Sequence, residues 1–368
     1  MTARIASTMI ATRTLRRPRV LIVGCGDVGL RCVARLLPRS RVFALTSHAA
    51  RAGELRAAGT IPLVGDLDVR TSLARLAGLA PVVLHLAPPP KTGDADTRTR
   101  ALLAALAAPR RQPARYRQRA QFRGRGCTGG LVDRFATLAA PVTRFAIGVP
   151  RGKAPIVPEG VGRAAARPGS RAPVRLVYAS TTGVYGDCGG ARIDETRAVH
   201  PANARAMRRV SAEQQLRAAT ARGAVRATIA RIPGIYAATR LPLARLGKGT
   251  PALIDADDVY TNHIHADDLA TILVRMATHG RPGRAVHASD DSELKMGEYF
   301  DRVADAFGLA RPPRVSRNEA EKTLDSTLLS FMRESRRLSN RRLKRELGAR
   351  LRYPHVDDFL HAVATARK

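Results

Sequence analysis

Short runs of consecutive apolar residues alternate along the chain with segments in which apolar residues recur every three or four positions. The first pattern is typical of strands buried on both faces, and the second of helices that cover a sheet. The runs predict strands at 19–23, 41–46, 61–64, 82–86, 174–178 and 225–232, and the amphipathic segments predict helices at 51–58, 69–76, 94–107 and 202–221. The alternation predicts an α/β fold with a parallel sheet and right-handed crossovers.

A glycine-rich turn follows the first predicted strand directly and leads into a helix. Gly24, Gly26 and Gly29 form the pattern G-x-G-x-x-G. In a dinucleotide site the first glycine permits the turn, the second lets the backbone approach a pyrophosphate, and the third lets helix and strand pack closely. The helix that starts at Asp27 and Val28 would then point its free N–H groups and its dipole at the phosphates. The stretch therefore predicts a doubly wound Rossmann sheet that binds a dinucleotide.

The pattern weakens in two parts of the chain. The segment between Pro109 and Pro173 is rich in Arg, Ala, Gly and Pro and has no sustained period, so we expect a basic, disordered insert. The elements after residue 237 become shorter and more irregular, which indicates a small mixed domain on the substrate side of the sheet. The predicted organisation is a loose tail (1–18), a Rossmann domain (19–108 and 174–237), the insert (109–173) and a C-terminal region (238–368) whose residues 260–280 pack back on the Rossmann domain. Within that region, 241–249 and 290–317 are expected to shape the substrate pocket.

Composition narrows the possible functions. The 368 residues carry a net charge of +33, but aromatic residues make up only 4%, which is little for a base-stacking platform, and the basic residues are nearly all arginine, as a GC-rich coding bias would give. We therefore expect no specific nucleic-acid partner, although docking of the basic insert on an acidic partner remains an alternative.

The four cysteines lack metal-site spacing and fit free thiols in a reducing cytoplasm. No apolar run is long enough for a membrane span, and the N-terminal segment has no secretory core, although a transit peptide stays possible.

Three later motifs, taken in order with the glycine turn, resemble the extended short-chain dehydrogenase/reductases. These are the NAD(P)-dependent epimerases, dehydratases and reductases. Residues 179–186 resemble the family's S-[ST]-x-x-V-Y-G turn, 231–236 its R-x-x-N/G-x-Y-G segment, and 262–270 its V-H-V-D-D-V-A segment.

The resemblance implies positions for the cofactor and for catalysis. Thr181 falls on the family's catalytic Ser/Thr, which hydrogen-bonds the substrate oxygen. Asp66 and Leu67 match the pair that holds the adenine. The resemblance also assigns to cofactor binding three residues after the fourth strand and one after the sixth: Leu86, Ala87, Pro88 and Pro233.

Two further residues of these motifs have two interpretations each. Tyr185 and His265 either take part in the chemistry or serve packing and turn formation. Tyr185 is retained as a catalytic candidate.

The family's catalytic Tyr-x-x-x-Lys pair is replaced in this sequence. Counting back from Ser211-Ala212-Glu213 places Arg205 at the tyrosine and Arg209 at the lysine. An arginine has no hydroxyl and stays protonated, so Arg205 cannot transfer the proton. Arg209 could still supply a cation to ribose hydroxyls or to a substrate anion. An active enzyme would then need another base, such as Tyr185, His263 or a substrate-held water.

The end of the second strand bears on the choice of nucleotide. An NAD site usually places an acid about 20 residues beyond the glycines, where it binds the ribose 2′-OH. Here Thr46 and Ser47 end the strand, and no acidic residue lies between Gly29 and Glu54. Arg51 lies nearby in the sequence. The sequence therefore favours NADP, bound through Ser47 and Arg51, with NAD as the alternative.

Two classes of function follow. The first is an atypical, cytoplasmic NAD(P)-dependent oxidoreductase or epimerase/dehydratase-like enzyme that acts on a small polar substrate. The second is a dinucleotide-binding sensor or scaffold without turnover. We expect a monomer or a homodimer.

Overall fold

The computed structural model describes residues 17–108 and 172–365. The loose tail expected over 1–18 and the insert expected over 109–173 therefore lie almost wholly outside the described residues. Within the described ranges, no helix is both long enough and apolar enough to cross a membrane.

The described strands and helices follow the predicted alternation and continue beyond it. In chain order the strands are β1 (Arg19–Val23), β2 (Arg41–Thr46), β3 (Ile61–Val64), β4 (Val82–His85), β5 (Val174–Thr181), β6 (Arg192–Ile193), β7 (Val225–Ile232), β8 (Gly234–Tyr236), β9 (Ala252–Leu253), β10 (Tyr260–Thr261), β11 (His263–His265), β12 (Ala285–His287), β13 (Leu294–Lys295), β14 (Arg314–Val315) and β15 (Arg337–Leu338). The α-helices are α1 (Asp27–Leu36), α2 (Ala52–Ala57), α3 (Thr97–Ala107), α4 (Ala204–Ala221), α5 (Leu243–Gly247), α6 (Ala266–His279), α7 (Met296–Phe307), α8 (Arg317–Thr323), α9 (Ser326–Phe331), α10 (Arg341–Leu347) and α11 (Val356–Thr365). Single 3₁₀ segments occupy Ala49–Arg51, Arg70–Leu76, Thr182–Tyr185 and Ala238–Arg240.

The main sheet contains seven strands in the order β12-β7-β5-β4-β1-β2-β3, and every pairing is parallel. This confirms the predicted doubly wound α/β fold. The direction of winding reverses between β1 and β4, and in such sheets ligands bind outside the carboxyl ends of the strands at this point.

Each face of the sheet is covered by its own apolar core. On one face α1 and α6 pack together over residues such as Ile22 and Leu84, both fully buried. On the other face α3 and α4 cover Leu21 and Leu176. A separate cluster built around Phe300 and Phe359 joins α7 to α11 in the C-terminal region.

Side-chain caps set two helix starts later than the sequence predicts. The carboxylate of Asp96 accepts a hydrogen bond from the Thr99 N–H, so α3 begins at Thr97 and not at residue 94. The side chain of Asn203 likewise accepts from the Ala206 N–H and sets the start of α4.

Some C-terminal elements are absent from the sequence prediction. The strand β12 extends the main sheet beside β7 although it lies after residue 238. Only three residues long, it carries too little periodicity to be recognised. The short helices α9 and α10 were missed for the same reason.

A buried ion pair links α4 to the sheet. Nε and Nη2 of Arg231 donate to the two carboxylate oxygens of Glu213 at 3.2 and 2.7 Å, and each side chain is 4% exposed. Ser180, at the end of β5, donates to the same carboxylate at 2.7 Å. Charge-assisted bidentate bonds of this kind are strong and fix geometry, so the pair sets the position of α4 against β5 and β7.

We predict that Glu213→Gln lowers the free energy of unfolding by about 3–5 kcal/mol, because it leaves the buried Arg231 guanidinium without a counter-charge. The measurement is the midpoint and slope of urea unfolding. The matched control is Asp305→Asn, which removes the charge from the exposed pair between Asp305 and Arg311. Equal, small effects of the two substitutions would contradict the assigned importance of the buried pair.

Candidate functional site

The backbone of the glycine turn packs tightly against the loop after β4. Gly24 has a φ of +88°, and a Cβ there would lie only 2.5 to 2.9 Å from backbone atoms of Leu86 and Ala87. The Leu86 N–H donates to the carbonyl of Val23 at 2.8 Å, which holds the two loops together. A Cβ on Gly29 would lie 3.1 Å from the Gly24 carbonyl oxygen. Close packing thus accounts for the first and third glycines, as the pattern predicts.

Gly26 is different, because open space lies in front of it. It is the N-cap residue of α1, no side chain caps the helix, and a Cβ there would meet nothing within 4 Å. The first N–H groups of the helix are therefore available to an anion at this point. Asp27 adds a negative charge in the first turn, but Arg31 and Arg240 each pair with its carboxylate at 3.0 Å. The open space at Gly26 and the first N–H groups of α1 fit the pyrophosphate of a dinucleotide.

The end of β2 lies close to the same turn. Burial raises the pKa of the Cys25 thiol to about 11, and the charges of Arg51 and Glu54 also act on this thiol. Arg51 holds Glu54 through Nε and Nη2 at 3.0 and 2.8 Å. The hydroxyl of Thr46 accepts from the His48 N–H, while Ser47 is exposed. A cation and an exposed hydroxyl thus lie where the sequence places the ribose 2′ position.

The remaining predicted cofactor residues lie at the ends of β3, β4 and β7. Asp66 accepts a hydrogen bond from the Asp68 N–H at 2.9 Å, and Leu67 is 8% exposed within one of the cores. Ala87 is buried against the glycine turn, and Pro88 follows it. Pro233 follows β7 and lines a cavity, described next. The structure therefore brings these predicted residues to the carboxyl edge of the sheet.

This cavity, of about 310 Å³, is lined by Thr181 at the end of β5. The Thr181 oxygen accepts from the Gly183 N–H at 3.3 Å, so its own proton is available to a ligand. The wall also includes Thr182, Gly183, Asn203, Arg205, Ala206, Pro233, Gly234, Tyr260, Thr261, Asn262, His263, Met296, Tyr299, Phe300, Ser330, Phe331, Glu334 and Arg336. Of the two segments expected to shape the pocket, 290–317 contributes to this wall and 241–249 does not.

Tyr185 does not belong to the cavity wall. It is 1% exposed, and its hydroxyl donates to His287 Nε2 and accepts from Arg231 Nη1, both at 2.6 Å. Nδ1 of His287 donates to the Ser339 carbonyl, which fixes the tautomer. Burial raises the pKa of Tyr185 to about 12 and lowers that of His287 to about 4. This geometry favours the packing interpretation of Tyr185.

His265 also has a structural place. Its Nδ1 accepts from the Asp267 N–H at 3.3 Å at the start of α6, and its ring packs against Tyr353 and Phe359. Burial lowers its pKa.

The two arginines that the sequence analysis assigns to the tyrosine and lysine positions have different surroundings. Arg205 lines the cavity, with its guanidinium 5.0 Å from the centre of the Phe331 ring. Arg209 turns toward the protein, where Nη1 donates to the Tyr178 hydroxyl at 3.1 Å and to the Ala179 carbonyl at 2.5 Å. Burial raises the pKa of Tyr178 to about 12, so this phenol is a poor substitute for the missing acid/base.

The opposite wall of the cavity includes residues that the sequence did not identify. Glu334 and Arg336 form an ion pair at 2.9 Å, and a Cβ on Gly183 would lie 3.9 Å from a Glu334 oxygen. His263, which the sequence analysis did name as a candidate base, lies in the same cavity wall and stacks on Tyr299 with 4.3 Å between the ring centres, and burial lowers its pKa to about 4. No local pattern signals Glu334 or Arg336, because about 150 residues separate them from Thr181.

Comparison with known proteins gives a partial family match and a fold. Residues 163–288 match the model of the NAD dependent epimerase/dehydratase family. No protein of curated function matches the chain in sequence.

Several solved structures share the fold. A conserved protein of unknown function from Silicibacter pomeroyi superposes with a TM-score of 0.64 at 23% identity, covering 95% of this chain and 99% of that one. The dTDP-glucose 4,6-dehydratase of Streptomyces venezuelae, solved with NAD bound, gives 0.62 at 20% identity, covering 95% and 97%. UDP-N-acetylglucosamine 4-epimerase from Bacillus cereus gives 0.59 at 11%, covering 95% and 99%.

At these identities the solved structures establish the fold alone. The family match rests instead on the sequence from β5 to β12, which includes the turn at Thr181 and the segments after β7 and around β11. Over residues 163–288, about a third of its length, the chain is thus similar in sequence to the NAD-dependent epimerase/dehydratase family.

Proposed function

We propose that this protein binds a nicotinamide dinucleotide along the carboxyl edge of its sheet, NADP in preference to NAD, and acts on a small polar substrate in the adjoining cavity. The observation that carries the proposal is the open space at Gly26, before the uncapped start of α1. A Cβ would fill this space, while the neighbouring glycines are required by packing alone. The bound nicotinamide would supply or accept a hydride.

Thr181 is the residue we assign to the substrate. Its oxygen already accepts from the Gly183 N–H, which orients the hydroxyl, and its proton is free to hydrogen-bond a substrate oxygen in the cavity. Such a bond stabilises charge that develops on the oxygen during hydride transfer. Of the other two residues assigned to catalysis, Tyr185 serves the buried network, and Arg209 orients the end of β5 through the Ala179 carbonyl.

The preference for NADP rests on charge at the end of β2. Ser47 is exposed there, and Arg51 follows shortly after it with its guanidinium held by Glu54. An arginine and a hydroxyl suit a 2′-phosphate, whereas a site for NAD usually has an acid that accepts from the 2′-OH. NAD is the alternative, because Glu54, three residues after Arg51, is itself an acid of the kind that accepts from the 2′-OH.

A second function, a sensor or scaffold that binds the dinucleotide without turnover, is favoured by one specific observation. Arg205 and Arg209 occupy the positions that supply the acid/base phenol and its lysine in the family, and the phenols of Tyr178 and Tyr185 are both buried. Under either function we place the protein in a reducing cytoplasm as a monomer or homodimer. The free thiols of Cys25 and Cys32 support the reducing compartment.

We predict that NADPH binds and that Gly26→Asp abolishes this binding, because the carboxylate would fill the space meant for the pyrophosphate. Gly26 has extended backbone angles, and aspartate is a favoured N-cap residue, so the variant should keep its fold. Isothermal titration calorimetry measures the affinity. The control Gly247→Asp adds the same charge at another open position and should bind normally. Absence of NADPH and NADH binding to the unmodified protein would refute the proposed function.

We predict that Arg51→Ala weakens NADPH binding about tenfold, which equals about 1.4 kcal/mol, and changes NADH binding little. The reason is the lost contact with the 2′-phosphate. Titration of both nucleotides into the variant provides the measurement, with Arg56→Ala, an exposed arginine of the adjoining helix α2, as the control. Tighter binding of NADH than of NADPH to the unmodified protein would show that the preference is assigned the wrong way round.

We predict that an active enzyme loses at least tenfold in kcat when Thr181 is changed to Ala, with little change in NADPH affinity, because the hydroxyl acts on the substrate oxygen. NADPH oxidation is followed by absorbance over a panel of carbonyl compounds and nucleotide sugars. The double variant Arg205→Tyr/Arg209→Lys restores the family pair and serves as the comparison. NADPH binding without turnover in the unmodified protein, together with turnover in the double variant, would favour the sensor.

A further inference from the structure

The charges on the cavity wall do not balance. The lining residues include two arginines, Arg205 and Arg336, and one acidic residue, Glu334. Glu334 pairs with Arg336 at 2.9 Å, so the wall keeps one positive charge in excess. For Arg205, the contact found within the described residues is with the face of Phe331, an aromatic ring that carries no charge.

Arg336 also has hydrogen-bonding capacity left over. Its Nη1 donates to the Gly186 carbonyl at 2.7 Å and to Glu334. Its Nε is buried and has no hydrogen-bond partner within the described residues. A buried donor without an acceptor costs about 1–3 kcal/mol, and Arg336 lines the cavity, so its guanidinium has hydrogen-bonding capacity that an acceptor on a ligand would use.

The rest of the wall limits the size and character of the ligand. Met296, Tyr299, Phe300 and Phe331 give the cavity an apolar side. The volume of about 310 Å³ lies at the lower end of the range for small-molecule pockets. The cavity therefore suits a small ligand with an apolar body.

We propose that the cavity binds a small organic oxyanion, a carboxylate or a phosphate monoester with an apolar body, through the guanidinium groups of Arg205 and Arg336. The inference rests on the proposed function, because it assigns the ligand class of the same site. Arg205 supplies the uncompensated charge, and Arg336 supplies the oriented donor. Guanidinium groups bind carboxylate and phosphate oxygens with matching planar geometry. The arginine at the family's tyrosine position thus serves ligand recognition and not proton transfer.

The test compares three probes that share an aromatic body: phenylacetate, phenyl phosphate and the neutral phenylacetamide. Each is titrated by calorimetry into the full-length protein, with and without NADPH. We expect at least one anion to bind at least tenfold more tightly than the amide, and its affinity to fall as potassium chloride is added. The two anions distinguish a carboxylate site from a phosphate site. Equal binding of anions and amide, or no binding of either anion at millimolar concentration, would overturn the inference.

Single-residue variants test which arginine supplies the positive charge that binds the anion. Arg205→Met should weaken binding of the anion about tenfold and leave the amide unchanged, whereas Arg222→Met, an exposed arginine at the far end of the same helix, should have no effect. Arg336→Lys keeps the charge but removes the planar donor set, so a loss there with normal thermal unfolding supports the assigned contact. Unchanged anion binding in Arg205→Met would count against the proposal.

The same titrations separate this inference from the proposed function. NADPH affinity in Arg205→Met should match that of the unmodified protein, because Arg205 lies in the cavity and away from the glycine turn. NADPH binding without any binding of anions refutes the ligand class alone. Binding of anions through Arg205 without any binding of NADPH refutes the dinucleotide and supports the cavity.

Discussion

The buried pair between Arg231 and Glu213 is the interaction on which the geometry of the site depends. Glu213 belongs to the helix that carries Arg205 and Arg209, and Arg231 lies two residues before Pro233. Ser180, which donates to the same carboxylate, directly precedes Thr181. One carboxylate therefore fixes three parts of the site relative to one another. Removing two such charges from water is costly, so the pair contributes more to a defined geometry than to stability.

The parallel sheet supplies the second constraint. Because every strand of the main sheet runs in the same direction, all the loops that follow the strands emerge at one edge. The turn after β1, the end of β2 and the loops after β4, β5 and β7 meet there, although they come from distant parts of the sequence. The proposed cofactor groove lies where the winding reverses, and the cavity lies beyond β5.

The sequence predicted those features that are determined locally. A strand followed by three spaced glycines specifies its own turn, because Gly24 must adopt a positive φ and Gly29 must approach a carbonyl. The long apolar strands and the helix starts were predicted to within a few residues for the same reason. The far wall of the cavity was not predicted, because Glu334 and Arg336 reach Thr181 only through tertiary contacts. Packing was one of the two interpretations of Tyr185, but its partners could not be predicted locally, since His287 and Arg231 are distant in sequence.

The two arginines of α4 show how identical side chains on one helix reach different physical outcomes. The positions are four residues apart, so they lie on the same side of the helix. Arg209 lies next to the end of β5, where a carbonyl and a phenol oxygen accept its hydrogen bonds, and its charge is thereby held inside the protein. Arg205, one turn earlier, lines the cavity, where the described partner of its guanidinium is the face of Phe331. A ring satisfies a cation only in part, and a guanidinium cannot release its proton near neutral pH. The unmet requirement at Arg205 is therefore for negative charge, which in a cavity beside Thr181 is most directly met by the ligand itself.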